Sequence, residues 1–213
     1  MALSKVDFNS INVTPAASKA IKFNSSNNGL ETGDVGGSLV LISTQTASSS
    51  ANITFDSGID STYKEYIFKY TDIHPATDNA SFQINFRDGS TAYDATKTTS
   101  NFRAYNNEAG SDTSLGYFTN EDLAQSTAVQ IIGRSLGNDN DQCGVGTVHL
   151  FDPSNTTFVK HFLINSTTLE GGNYFNEYFI AGYCNTTSAI DGVQFSMSSG
   201  NIDAGTIKMY GVT

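Results

Sequence analysis

Three histidines, two cysteines and 21 acidic residues hold most of the reactive side chains of this 213-residue chain. Their spacing decides what chemistry they could do. If the hairpin between His149 and His161 centres on Asn155, the two imidazoles lie opposite each other on one face and offer two metal-binding nitrogens. A one-residue slip in register separates them, and a plain surface contact is the stronger reading. Asp139, Asp141 and Gly144 open like a calcium loop, but the place of the closing bidentate carboxylate falls on Leu150. A solvated acidic turn fits better. Glycoside hydrolysis needs two carboxyls flanking a sugar; Asp56, Asp60, Asp88 and Asp191 sit in turn contexts, and no pair stands out. The chain contains no G-x-S-x-G, and no phosphate-cradling glycine loop follows a strand. The expectation is a protein that is not an enzyme, with no cofactor and no metal. Tyr105, Tyr117 and Phe118 are the candidate binding residues, because loop-borne aromatic rings stack on sugar faces. Capping of the core is the competing role for the same rings.

The elements that must position these residues are strands. Ser, Thr and Asn together number 69, with 19 Gly, and charged residues make up only 15%. This polar, uncharged material separates short runs that alternate apolar and polar. SFQINFR places Phe82, Ile84 and Phe86 on one face. YKEYIFKYTDI does the same with Tyr66, Phe68 and Tyr70, and Pro75 ends that run because it has no N–H for a ladder. GVQFSMS and GTIKMYGV alternate as well, and DPSNT joins GTVHLF to TFVKHFLIN as a hairpin. SLVLIST reads as a strand buried on both faces. EDLAQSTAVQIIGRSL permits either a short helix or a strand, with Val129 and Ile131 favouring the strand. About ten strands with Gly, Asn and Asp turns predict an all-β fold, an antiparallel β-sandwich or jelly-roll-like domain over residues 36–213. Residues 1–35 read as an N-terminal arm in which IKFN makes one short strand and SSNNGLETGDVGG is turn and linker.

Charge and composition narrow the partners. The net charge is −10 and no Lys/Arg cluster occurs, which argues against nucleic acid. Lys5, Lys19 and Lys22 stand against Asp7 alone in the first thirty residues, a mildly basic arm on an acidic body. Cys143 and Cys184 read as free thiols. MALSKVDFNS has no basic-then-apolar leader pattern, and no apolar run is long enough to span a bilayer.

Three stretches carry a likeness. They are GGSLVLISTQTASSSANITFDSGIDSTYKEYIFKYTDIHP (36–75), GTVHLFDPSNTTFVKHF (146–162) and GYCNTTSAIDGVQFSMSSGNIDAGTIKMYGV (182–212). With MALSKV they resemble small virion structural proteins of marine tailed bacteriophages, the tail-fibre and capsid-appendage components. The resemblance implies a β-sandwich displayed on the particle, as a homotrimer, joined to other virion proteins through residues 1–35. It also implies assembly in the host cytoplasm. One departure is that long fibres carry repetitive shafts, and no 20–50-residue repeat occurs here. Two roles follow. One is a tail-associated receptor-binding module touching host surface glycan through loops 88–100, 106–120 and 137–144. The other is a capsid decoration or head-fibre protein attached by its arm.

Overall fold

The computed structural model describes residues 19–26, 28–34 and 38–213. The chain divides into two units, Met1–Ser38 and Leu39–Thr213. The part of the expected attachment arm before residue 19 lies outside the described residues.

The first unit contains an antiparallel hairpin of β1 (Lys19–Phe23) and β2 (Leu30–Asp34). The stretch expected to be linker after residue 25 thus contains a strand. Thr32 pairs with Ile21 and Leu30 with Phe23, so short alternation outweighs turn-rich composition. Lys22 and Glu31 add an exposed ion pair at 3.4 Å.

The second unit is all-β, with antiparallel sheets packed face to face. Its strands are β3 (Leu39–Thr46), β4 (Asn52–Phe55), β5 (Glu65–Pro75), β6 (Ala80–Arg87), β7 (Lys97–Asn107), β8 (Thr113–Tyr117), β9 (Gln130–Leu136), β10 (Gly144–Phe151), β11 (Lys160–Leu169), β12 (Tyr174–Cys184), β13 (Gly192–Met197) and β14 (Ile202–Val212). An eight-stranded sheet runs β3-β14-β5-β10-β11-β12-β7-β8, and a four-stranded sheet runs β4-β13-β6-β9. The segment that permitted helix or strand resolves into a single 3-10 turn, Thr119–Glu121, followed by β9. Among the described residues no helix is long and apolar enough to cross a membrane.

The alternating runs build the core between the sheets. Tyr66, Phe68 and Tyr70 of β5 face Phe82, Ile84 and Phe86 of β6 and Val193 and Phe195 of β13, all buried. Each fully buried Phe contributes about 1.5–3 kcal/mol of transfer free energy. A bulge re-phases β5. Asp72 takes φ 54°, the pairing to β10 skips between Gly146↔Tyr70 and Gly144↔Ile73, and Ile73 turns inward where plain alternation would send it out. Gly146 is required at that bulge, since a Cβ there would meet both the Tyr70 phenol and the Asn165 carbonyl.

SLVLIST behaves differently from its expectation. Among the described residues β3 is the outermost strand and pairs with β14 alone, and Leu39, Val40 and Leu41 are exposed. A continuous apolar run reports burial only where a strand has neighbours on both sides, and an edge position removes one of them.

Candidate functional site

The mismatch in sheet width creates the site. β9, the edge of the small sheet, packs across β11 and β12, leaving the inner face of β7 and β8 beyond it. Inward-pointing residues of β7 are therefore core at one end and cleft wall at the other. Lys97, Thr99 and Asn101 are buried, whereas Arg103 and Tyr105 line a cleft of about 420 Å³. Tyr174 and Asn176 of β12, Arg134 and Ser135 of β9, Asp112, Glu170 and Asn79 complete it.

Two aromatic rings form one wall. Tyr105 and Tyr174 meet edge to face with centroids 5.6 Å apart. Asp112 holds both, accepting from the Tyr174 hydroxyl at 3.0 Å and the Tyr105 hydroxyl at 3.4 Å. Strand pairing brings them together, because Asn176 lies opposite Tyr105 and Tyr174 opposite Asn107.

The floor is charged. Arg103 Nη1 lies 3.4 Å from Glu170 Oε1, both side chains largely buried, and Arg134 Nη1 lies 3.9 Å from Glu121 Oε1. Glu121 sits in the 3-10 turn, where its carboxylate accepts from Asn101 Nδ2 at 3.1 Å. Burial raises its pKa to about 7, against the lowering pull of Arg134 and Arg103. Burial raises Glu170 as well, opposed first by Arg103. Burial likewise pushes the Tyr178 phenol, which accepts from the Arg134 N–H at 3.3 Å, up to about 12. Asn176 Oδ1 is fully buried behind the cleft wall and has no hydrogen-bond partner among the described residues. The cleft thus presents aromatic edges and a guanidinium flanked by carboxylates, a set matched to a polyhydroxylated ligand.

The three expected binding residues part company. Tyr105 lines the cleft. Phe118 stands beside it, with the guanidinium carbon of Arg103 4.2 Å and that of Arg134 5.5 Å from its ring centroid. Tyr117 lies on the opposite, outer face of the large sheet against Phe102, centroids 5.4 Å apart. Adjacent strand residues point to opposite faces, so Tyr117 and Phe118 could not share one site. Arg103, Arg134, Glu121, Glu170 and Tyr174 were not anticipated. Arg103 and Tyr105 carried the one legible signal, an i, i+2 pair in NFRAY.

The expected contact loops also separate. Stretches 106–120 and 137–144 meet segment 169–173 at one end, through Glu108 N–H to Asn173 O and Gly137 N–H to Leu169 O. Residues 88–96 lie at the other end, where Thr96 O accepts from Asn185 N–H. The histidine pair does not form. The register sets Leu163 opposite His149, and His149 Nδ1 instead lies 2.6 Å from Glu65 Oε1. His161 lies beside Tyr183. No group of three or more His, Cys, Asp or Glu that could hold a metal occurs among the described residues, and Asp139 and Asp141 gather no others. Cys143 and Cys184 are both free. No family model matches the chain, and no curated protein or solved structure matches it.

Proposed function

We propose that this chain is a bacteriophage virion structural protein, a tail-associated module that binds host surface saccharide in the cleft of Arg103, Tyr105, Tyr174 and Asn176. One observation carries the saccharide reading: two tyrosines pinned by Asp112 form an aromatic wall beside the Arg103 guanidinium. Sugar C–H faces pack on such rings, and sugar hydroxyls satisfy the polar groups. The virion assignment rests on the family likeness of the strand-and-turn phrases. Both arginines already have a carboxylate partner, which suits binding better than turnover.

Assembly into the expected homotrimer gives the outer face of the large sheet a role. Phe102, Leu115, Tyr117, Leu163 and Phe179 are about half exposed or more on neighbouring strands of that face. Apolar surface of that continuity marks association in soluble proteins.

The test is saccharide binding by the intact protein across a panel of bacterial surface glycans, with Tyr105→Ala and Arg103→Ala alongside. Binding that falls at least tenfold in both variants supports the reading. No binding to any glycan, or binding unchanged in both, removes it, and steady release of reducing ends would make the protein an enzyme. Position in the particle separates the two virion roles. Copies at the tail fit this reading, and hundreds on the head would replace it with capsid decoration through residues 1–35.

A further inference from the structure

At the far end of the sandwich from the cleft, a single inward-facing row of the large sheet reads Lys160, Cys184, Lys97, with Cys184 paired to each lysine across β11, β12 and β7. All three are fully buried. The two lysines solve burial differently. Lys160 Nζ donates to three backbone carbonyls, those of Asn155, Phe158 and Thr186 at 2.8–3.3 Å. That is the environment of a structural ammonium. Lys97 Nζ donates to one carbonyl, Ala95 O at 2.8 Å, and otherwise meets a carboxamide, with Asn85 Oδ1 at 2.5 Å.

Asn85 belongs to β6 of the other sheet. β6 pairs with β9 as far as Ile84, and beyond that point the segment leading into β7 takes over, Ala95 N–H donating to Phe86 O at 3.0 Å, which brings Asn85 beside Lys97. Its Oδ1 accepts from the Phe86 N–H at 3.0 Å, and its Nδ2 donates to Thr127 O at 3.1 Å. The amide is therefore locked, oxygen toward Lys97 and nitrogen away from it. A C=O bond of about 1.23 Å places the carboxamide carbon within roughly 3.7 Å of Nζ, close to the 3–3.5 Å of a near-attack arrangement.

We propose that Lys97 and Asn85 join in a self-generated isopeptide bond, a covalent staple between the two sheets. The Nζ lone pair adds to Cγ of Asn85, and the carbonyl π electrons move to Oδ1, where the Phe86 N–H holds the developing charge. A proton passes from the attacking nitrogen to Nδ2, the Cγ–Nδ2 bond breaks, and ammonia leaves. The product is a secondary amide whose remaining N–H keeps its acceptor, Ala95 O. Nothing is oxidised or reduced, and no co-reactant enters. Burial supports the step by lowering the pKa of Lys97 to about 8, against the raising effect of Cys184, Asp94 and Asp88, so a free amine exists near neutral pH.

Intact-mass measurement on the purified full chain, incubated folded at pH 8, tests this directly. The expected mass is lower than the sequence mass by one ammonia, and a protease digest yields a branched peptide joining the segments that contain residues 85 and 97. Asn85→Ala and Lys97→Arg are expected to carry their full masses, and Lys160→Arg to retain the loss. Full mass in the folded wild type overturns the proposal. An ammonia loss without the branched peptide, or one that persists in Lys97→Arg, assigns it to asparagine cyclisation and overturns it equally. Should the variants not fold, the wild-type digest decides alone.

Discussion

The guanidinium carbon of Arg103 lies 4.2 Å from the ring centroid of Phe118 and 4.9 Å from that of Tyr105, while Nη1 reaches Glu170. The cation is thus held by two rings and one carboxylate in a largely buried position. A cation over a ring in a desolvated site is worth about 2 kcal/mol, and a water-exposed one about 0.5–1 kcal/mol. Phe118→Ala is expected to lower unfolding free energy by about 2 kcal/mol in urea and to weaken saccharide binding severalfold. Phe118→Leu keeps the volume without the ring quadrupole. Its cost is expected to be about half, and equality of the two variants would show that only packing matters.

Glu121 makes stability depend on pH in a direction opposite to ordinary carboxylates. Its folded pKa stands near 7 against 4.5 for the free side chain, raised by burial. Below pH 4.5 both states hold the proton. Between the two values the unfolded chain releases it while the folded chain keeps it, so stability falls as pH rises. The loss is on the order of 3 kcal/mol across that window. Asp60 and Asp152 are lowered, both chiefly by side-chain hydrogen bonds, so they act below this range. Glu121→Gln keeps an oxygen for Asn101 and cannot ionise. Urea midpoints at pH 5 and 7.5 are expected to differ clearly in the wild type and by less than half as much in the variant, with the remainder due to Glu170.

Much of the sandwich was legible because its signals are local. The faces of β5, β6 and β13 follow from period-two alternation, and Pro75 ends β5 for want of an N–H. The misses arise where the deciding partner is distant. The 152–158 turn is shaped by Asn155 Oδ1 accepting from the Thr157 and Phe158 N–H groups, which moves the register that would have opposed His149 and His161. The cleft was the least readable part. Arg103, Glu121, Arg134 and Glu170 come from four separate segments, and no spacing links residues that meet only because one sheet is wider than the other.

Phe195 is the packing centre of the sandwich. It stacks on Phe82 at 5.7 Å and meets Phe68 at 6.0 Å, Phe55 at 6.3 Å and Tyr70 at 6.3 Å. Those rings come from both sheets, so a cavity here cannot close without moving one sheet against the other. Phe195→Ala is expected to cost about 3–5 kcal/mol. In a domain of this size that lowers the melting temperature by roughly 6–20 °C. Calorimetry checks it, and a drop of under 3 °C would mean that the cluster relaxes freely.

Arg87 ties three chain segments at the end of the small sheet. Its Nε donates to Asp191 Oδ1 at 2.8 Å, and Nη2 donates to Asp56 O and Asp191 O, each at 3.1 Å. Asp56 directly follows β4, Arg87 ends β6, and Asp191 directly precedes β13. One planar fork therefore fastens three neighbouring strands where the sheet frays, a geometry that the point charge of lysine cannot reproduce. Asp191 is partly exposed, which holds the coupling to about 1 kcal/mol rather than the larger value of a buried charged pair. Arg87→Lys is expected to cost about 1–2 kcal/mol by urea denaturation. A double-mutant cycle with Asp191→Ala isolates the pair. Its coupling is expected to shrink in 1 M salt, where screening reaches about 3 Å, while the two carbonyl contacts persist. A neutral Arg87→Lys would reduce the fork to a surface ion pair.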